Sequence, residues 1–188
     1  MTLAEQIRIY RPYNAQEAAD KAQLLRWLEK DADVFSRECR EGHFTASGWV
    51  VSPDRKKVLM VYHNIYNSWS WMGGHADGDR ELLRVAEREI REESGIGALK
   101  LLSPEIFSLE VLTVDGHIKR GEYVSSHLHL NVTYLFEADP ALPLACKPDE
   151  NSGVQWIDVE LIPEKVSEPW FLTWIYSKLC EKVEKYHN

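Results

Sequence analysis

Between two groups of strand-like segments the chain reads GGHADGDRELLRVAEREIREESGI, residues 73–96, and this stretch limits the possible folds more than any other. Asp77-Gly78-Asp79 has turn chemistry, and Asp79 suits a helix N-cap. Leu82, Leu83, Ala86 and Ile90 then recur at helical spacing, and Gly95 supplies the stop. The spacing predicts loop, helix, loop, with an apolar stripe that a sheet must cover. Glu89, Glu92 and Glu93 stand at i, i+3 and i+4. At about 100° per residue their carboxylates share an arc of roughly 100°. The arc borders the apolar stripe, so the acids emerge where the buried face meets solvent. Arg88 lies at its outer edge, within i+4 reach of Glu92.

Oxygen donors crowded in this way suit a hard divalent cation such as Mg²⁺ or Mn²⁺. A solvated acidic face laced with arginines would show the same spacing, and the glutamates alone leave the two readings level.

The flanking sequence predicts the scaffold. FTASGWVVS (44–52), KVLMVYH (57–63), IFSLEVLTV (106–114), HLHLNVTYLF (127–136) and a run from Gly153 to Ile157 read as strands, the first two joined by a Pro53-Asp54-Arg55 turn. In 127–136, Leu128, Leu130, Val132, Tyr134 and Phe136 face one way, while His127, His129, Asn131 and Thr133 face the other, toward a cleft or toward water. A first helix is predicted over roughly 14–40, capped by Asn14 with Glu17 at capping-box spacing and striped by Leu24, Leu25, Trp27 and Leu28. A last helix over about 169–186 carries Trp170, Leu172, Trp174, Ile175 and Leu179. Helix, strands, helix, strands, helix in that order predicts an α/β (α+β) fold with a mixed sheet covered on both faces.

Gly74, five residues, position 80, seven residues and then Arg88-Glu89-Ile90-Arg91-Glu92-Glu93-Ser94-Gly95-Ile96 resembles the Nudix box, Gly-x5-Glu-x7-Arg-Glu-U-x-Glu-Glu-x-Gly-U, where U is apolar. Only position 80 departs, being Arg where the family usually has Glu. At ordinary residue frequencies such a match arises by chance on the order of once in a hundred thousand chains or fewer. Trp69-Ser70-Trp71-Met72-Gly73-Gly74 is similar to the family's Trp-x-x-Pro-Gly-Gly entry, with Met72 for proline. Gly153 to Ile157 is similar to its late strand, so the likeness spans roughly 44–162.

The resemblance implies a three-layer α/β/α sandwich with a mixed β-sheet over 41–188, with residues 1–40 as an N-terminal helical extension packed on the core. It implies a metal-dependent hydrolase that cleaves a phosphoanhydride (diphosphate) bond in a nucleoside diphosphate-linked or related small molecule. Glu92 and Glu93 would be metal ligands, Glu89 a further ligand or the base that deprotonates the attacking water, and the Gly73 carbonyl would complete the shell. Arg88 would orient the glutamates. Arg80 removes the usual buttress of that arginine, which neighbouring Glu81 either replaces or does not. Glu150 lies in the loop where relatives often supply one more acidic ligand or base. His75 adjoins the diglycine and so the phosphates. Lys119 and Arg120 are candidate phosphate clamps, against the commoner reading of solvated surface bases. Trp69, Trp71 and Tyr66 are candidates to stack a base or sugar, with core packing expected for at least one. His127 and His129 are substrate candidates if their strand face lines the cleft.

Net charge −8 excludes the cationic surface that non-specific nucleic-acid binding needs, yet bound Mg²⁺ or Mn²⁺ would let an acidic chain accept a polyanionic nucleotide. Three dispersed cysteines, Cys39, Cys146 and Cys180, predict neither a disulfide framework nor a cysteine zinc site. The absence of a signal-like or membrane-length apolar run predicts a cytoplasmic location and no membrane partner. A homodimer is in keeping with the family. Three other functions compete. A non-hydrolytic nucleotide-sensing module would be marked by a damaged glutamate cluster, and this one is complete. An isopentenyl-diphosphate-isomerase-like enzyme would need a cysteine where Gly73 stands. A histidine zinc site drawn from His63, His75, His127 and His129 has no compact zinc-motif spacing.

Overall fold

The computed structural model describes every residue except Asp31, Tyr66, Arg120, Glu150, His187 and Asn188, and at Lys119 it describes the backbone alone. Its centre is β1 (Gly42–Val51), buried along its whole length. Parallel to it lies β9 (His127–Glu137), in register from Gly42 opposite Leu128 to Val51 opposite Glu137. All other pairings in this sheet are antiparallel. β2 (Lys57–His63) joins β1 only at Val51 and Val58, then pairs with β10 (Asn151–Asp158) at the edge. On the far side β6 (Ser108–Val114) and the short β5 (Lys100–Leu101) pair with β9. A separate hairpin joins β7 (His117–Lys119) to β8 (Glu122–Val124).

The sheet splays between β1 and β2, and a nearly continuous strand crosses the gap. β3 (Ser68–Ser70) pairs with β2, and β4 (Met72–His75) pairs with β1 along Thr45–Gly48. Its first part carries Trp69, and its second the diglycine and His75.

Two apolar clusters fix the layers. Phe44, Ala46 and Val50 of β1 join Leu130, Val132, Tyr134 and Phe136 of β9 against Leu82, Val85, Ala86 and Ile90 of α3 (Leu82–Ser94). Gly48 completes that face because a Cβ there would collide with the Ile90 side chain, so the missing side chain lets α3 seat closely. The opposite face presents Trp49, Val51, Met60 and Leu135 to Ile175, Tyr176, Leu179 and Val183. Burying each such large side chain contributes about 1.5–3 kcal/mol. A mixed sheet between α3 and the C-terminal helices is the expected α+β arrangement. Among the described residues no helix is long and apolar enough to cross a membrane.

Three predicted elements differ in detail. The first helix, expected over 14–40, is α2 (Ala15–Leu28), preceded by α1 (Leu3–Ile9). Asn14 does cap it, accepting the Glu17 N–H at 2.9 Å, but Glu17 turns its carboxylate to the Tyr13 N–H and the Tyr10 hydroxyl instead of closing a capping box. Beyond Leu28, Val34 and Phe35 stay buried in turns, so the apolar pattern continues after the helix has ended. α3 starts at Leu82, with Glu81 rather than Asp79 at the N-cap, because Asp79 Oδ1 accepts the Glu81 N–H in a turn ahead of the helix. The last helix follows α4 (Ile162–Lys165) and is split: α5 (Pro169–Phe171) and α6 (Ser177–Glu184) flank a π-helical turn at Leu172–Tyr176. The wider turn shifts the phase of the stripe, burying Ile175 and Tyr176 and leaving Trp170 and Trp174 exposed.

Candidate active site

Gly95 ends α3 in the left-handed conformation, φ +67°, with its N–H on the Arg91 carbonyl at 2.9 Å. The last turn of the helix therefore closes directly behind the three glutamates, beside β4. The Gly73 N–H donates to Glu93 Oε1 at 3.0 Å, and Glu93 is buried. A Cβ on Gly74 would collide with the Glu89 carboxylate and lie 2.6 Å from Oε2, so glycine is what lets strand and acid approach. Arg88 lies 3.1 Å from Glu89 Oε1 and 3.9 Å from Glu92 Oε1. The structure thus brings Gly73, Arg88, Glu89, Glu92 and Glu93 into one constellation at the border of the apolar face.

Burial pushes the Glu89 carboxyl above its ordinary range, the neighbouring charge of Glu92 adds to this, and the Arg88 guanidinium opposes it. Glu92, more exposed, has a second partner that sequence reasoning missed, Lys147 Nζ at 3.3 Å. Lys147 arrives on the loop before β10, which is tied to the helix end. The Ala145 N–H donates to the Ser94 carbonyl at 2.8 Å, and the buried Asn151 side chain donates to the Glu93 carbonyl at 3.2 Å. Asn151 Oδ1 accepts the Lys147 N–H at 3.1 Å. Nothing local in the sequence signals Lys147 or Asn151, because their partners lie more than fifty positions away.

Arg80 points elsewhere, 3.8 Å from Asp33 and over the Phe35 ring at 4.8 Å. Glu81 stands at the N-cap position of α3, at the far end of the helix and without a side-chain capping bond, and the carboxylates beside Arg88 are Glu89 and Glu92. At Gly73 a Cβ would collide with Ser47 Oγ and the Ala46 carbonyl, which leaves no room for the cysteine of the isomerase reading.

The other candidates separate. Trp71 is core, edge-on to Tyr176 at 5.7 Å, and Trp69 stands against Tyr62 at 5.6 Å and beside Gly153. His75, His127 and His129 do come together, but on the other face of β4 from the glutamates and around a fourth ring, His43, that sequence reasoning missed. His63 is not among them; its Nδ1 accepts the Ile65 N–H at 3.2 Å in the turn after β2. Asn131 and Thr133, on the same strand face, neither meet water nor line a cleft. They are buried, donating to Glu110 Oε2 at 2.9 and 2.8 Å. Glu150, Arg120, Tyr66 and the side chain of Lys119 lie outside the described residues.

Comparison with known proteins bears on the fold and the family. The family profile described as NUDIX domain matches residues 42–175. An RNA pyrophosphohydrolase of Pelagibacter ubique (strain HTCC1062) is 27% identical over 146 residues, 75% of this chain and 91% of that protein. Among solved structures, the MutT protein from Methanosarcina mazei Go1 shares the fold at a TM-score of 0.56 and 14% identity, covering 79% of this chain and 99% of that one. A C. elegans Ap4A hydrolase in a binary complex does so at 0.51 and 15%, covering 76% and 95%. With its family profile matched over most of its length and its glutamates on the predicted helix, the chain belongs to the Nudix hydrolase family.

Proposed function

We propose that this enzyme hydrolyses a diphosphate linkage in a nucleotide-derived small molecule, using Mg²⁺ or Mn²⁺ held by Glu89, Glu92, Glu93 and the Gly73 carbonyl. The observation that carries the proposal is the contact between the diglycine strand and the helix: Gly73 fixes Glu93, and Gly74 leaves space only for Glu89. The donor set fits a hard cation, being all oxygen and carrying more negative charge than Arg88 and Lys147 balance. A cation bound there would shield the phosphate charge that repels a nucleophile and would acidify water.

The protein's own groups have separate tasks. Arg88 engages Glu89 Oε1, leaving Oε2, the oxygen beside Gly74, as the one that would either bind the cation or take the proton from attacking water. The Gly73 N–H holds the Glu93 carboxylate in one orientation, and Lys147 with Arg88 does so for Glu92. Glu150 is retained as a further acidic candidate, and Lys119, Arg120 and Trp69 as substrate contacts. Residues 1–40 act as an extension that stabilises the catalytic domain 41–188. The name of the Pelagibacter relative, an RNA pyrophosphohydrolase, supports a pyrophosphate bond in a nucleotide-derived substrate over other diphosphates.

The test is a panel of nucleoside diphosphate-linked compounds, nucleoside triphosphates and 5′-triphosphorylated RNA, assayed with Mg²⁺ or Mn²⁺ and read by direct product analysis. Glu92→Gln and Glu93→Gln should each lower turnover by at least about a hundredfold and weaken Mg²⁺ binding, with the circular dichroism spectrum retained. Unchanged turnover in either variant refutes the assignment, and Mg²⁺-independent binding without product would identify a sensing module.

A further inference from the structure

The histidines on the opposite face of β4 form a second constellation with different chemistry. The parallel register sets His43 opposite His129, and β4 lays His75 opposite Thr45, one step along the same face of β1. Ring centroids are 5.1 Å apart for His43 and His75, 5.2 Å for His43 and His129, and 4.9 Å for His75 and His129. One ligand nitrogen from each ring lies within 4.8 Å of the others.

His43 supplies the decisive detail. It is 4% exposed, and its Nδ1 lies 3.1 Å from the Cys39 carbonyl oxygen. A carbonyl only accepts, so Nδ1 carries the proton and Nε2 is left with a lone pair. That Nε2 is buried and has no hydrogen-bond partner. Burial also pushes the imidazole below its ordinary pKa. A neutral, buried, unpartnered acceptor, oriented from behind by a carbonyl, is what an outer-shell contact prepares in a metal ligand.

We propose that His43, His75 and His129 bind a transition-metal ion of the zinc class, at a site separate from the oxygen cluster on α3. Imidazole donors select Zn²⁺, Co²⁺ or Ni²⁺ over Mg²⁺, so one strand sorts two kinds of cation: Gly74 faces the acids and His75 faces the rings. Nitrogens at 2.0–2.1 Å from a tetrahedral zinc stand about 3.4 Å apart, so the rings close on the ion by side-chain rotation of about an ångström. His127 stands beside these three rings. Its Nδ1 lies 2.8 Å from the Ser125 carbonyl, which leaves Nε2 as an acceptor, and Nε2 is 3.2 Å from His129 Nε2, close to a ligand-to-ligand edge. Entry is through His75, His127 and His129, which are only partly buried. The ion ties β1, β4 and β9 together at the strand that carries the diglycine.

The test uses the full chain without a purification tag, stripped with chelator and titrated with Co²⁺ in excess Mg²⁺, which saturates the oxygen site. One equivalent of Co²⁺ should give the intense visible absorption of four-coordinate cobalt, displaced by one equivalent of Zn²⁺. His75→Ala and His129→Ala should each weaken Co²⁺ binding by more than about a hundredfold. His43→Gln, closer in volume than alanine, should do the same while circular dichroism reports on folding. His63→Ala, Glu92→Gln and Glu93→Gln should retain the spectrum, so hydrolysis and this site fail independently. A weak six-coordinate spectrum, or binding that survives both His75→Ala and His129→Ala, overturns the proposal.

Discussion

At Gly74 the backbone of β4 passes so near α3 that one added methyl group would occupy the position of the Glu89 carboxylate. Gly74→Ala therefore tests the site without replacing a ligand or a core residue. The residue is only half-buried, so melting should move little, whereas displacing Glu89 by about an ångström should cost about a hundredfold in turnover. Full activity in this variant, measured beside its thermal midpoint, would remove Glu89 from the mechanism. The glutamates and glycines were legible because their relation is local: i, i+3, i+4 on one helix, and a diglycine whose spacing to it the resemblance supplied. Lys147, Asn151 and His43 were not, because each acquires its meaning from a partner brought near by tertiary packing. Arg80 shows the same limit in reverse, since only the fold reveals that it turns to Asp33 and Phe35.

Among elements, the docking of α3 on β1 decides whether the acids reach β4, and it depends on Ile90 filling the hollow at Gly48. Gly48→Ala should overpack this contact and destabilise by about 1–3 kcal/mol in urea unfolding. Ile90→Val alone should cost about 0.5–1.5 kcal/mol. The double variant should cost less than their sum, because the shortened side chain vacates part of the space that the new methyl group takes. Strict additivity would mean that the two positions do not share this hollow. Long strands and α3 were legible from periodicity and turn residues. The short β3, β4, β5, β7 and β8 were not, since two to four residues carry too little pattern to stand out. The π turn at Leu172–Tyr176 likewise leaves no trace in composition, yet it decides which face of the C-terminal helices is buried.

Across the whole molecule, α2 and the last helix are joined through a buried polar network that no sequence pattern announced. Glu17 of α2 is fully buried and pairs with Lys182 at 2.9 Å and Lys178 at 3.3 Å. Lys178 also meets Glu110 of β6 at 3.0 Å, and Glu110 accepts from Asn131 and Thr133 of β9. Asn131 in turn accepts from Thr45 and Ser47, beside the diglycine strand. Burial alone would push the Glu17 carboxyl up, but Lys182 and Lys178 overrule it and hold the value at about 2. A folded pKa depressed from the model-peptide 4.5 to about 2 sets the sign: the contribution is complete above 4.5 and is lost as pH falls toward 2. Acid titration should therefore loosen α2 and α6 together over that window, read by hydrogen exchange in Ala15–Leu28 and Ser177–Glu184. Lys182→Met leaves Glu17 with one fewer counter-charge in a dry site and should cost about 3–5 kcal/mol. Adding Glu17→Gln should recover much of that loss, because the under-compensated buried charge is the source of the penalty. If the double variant is as unstable as Lys182→Met, then lost packing of the lysine stem, and not an uncompensated carboxylate, holds the two ends of the chain together.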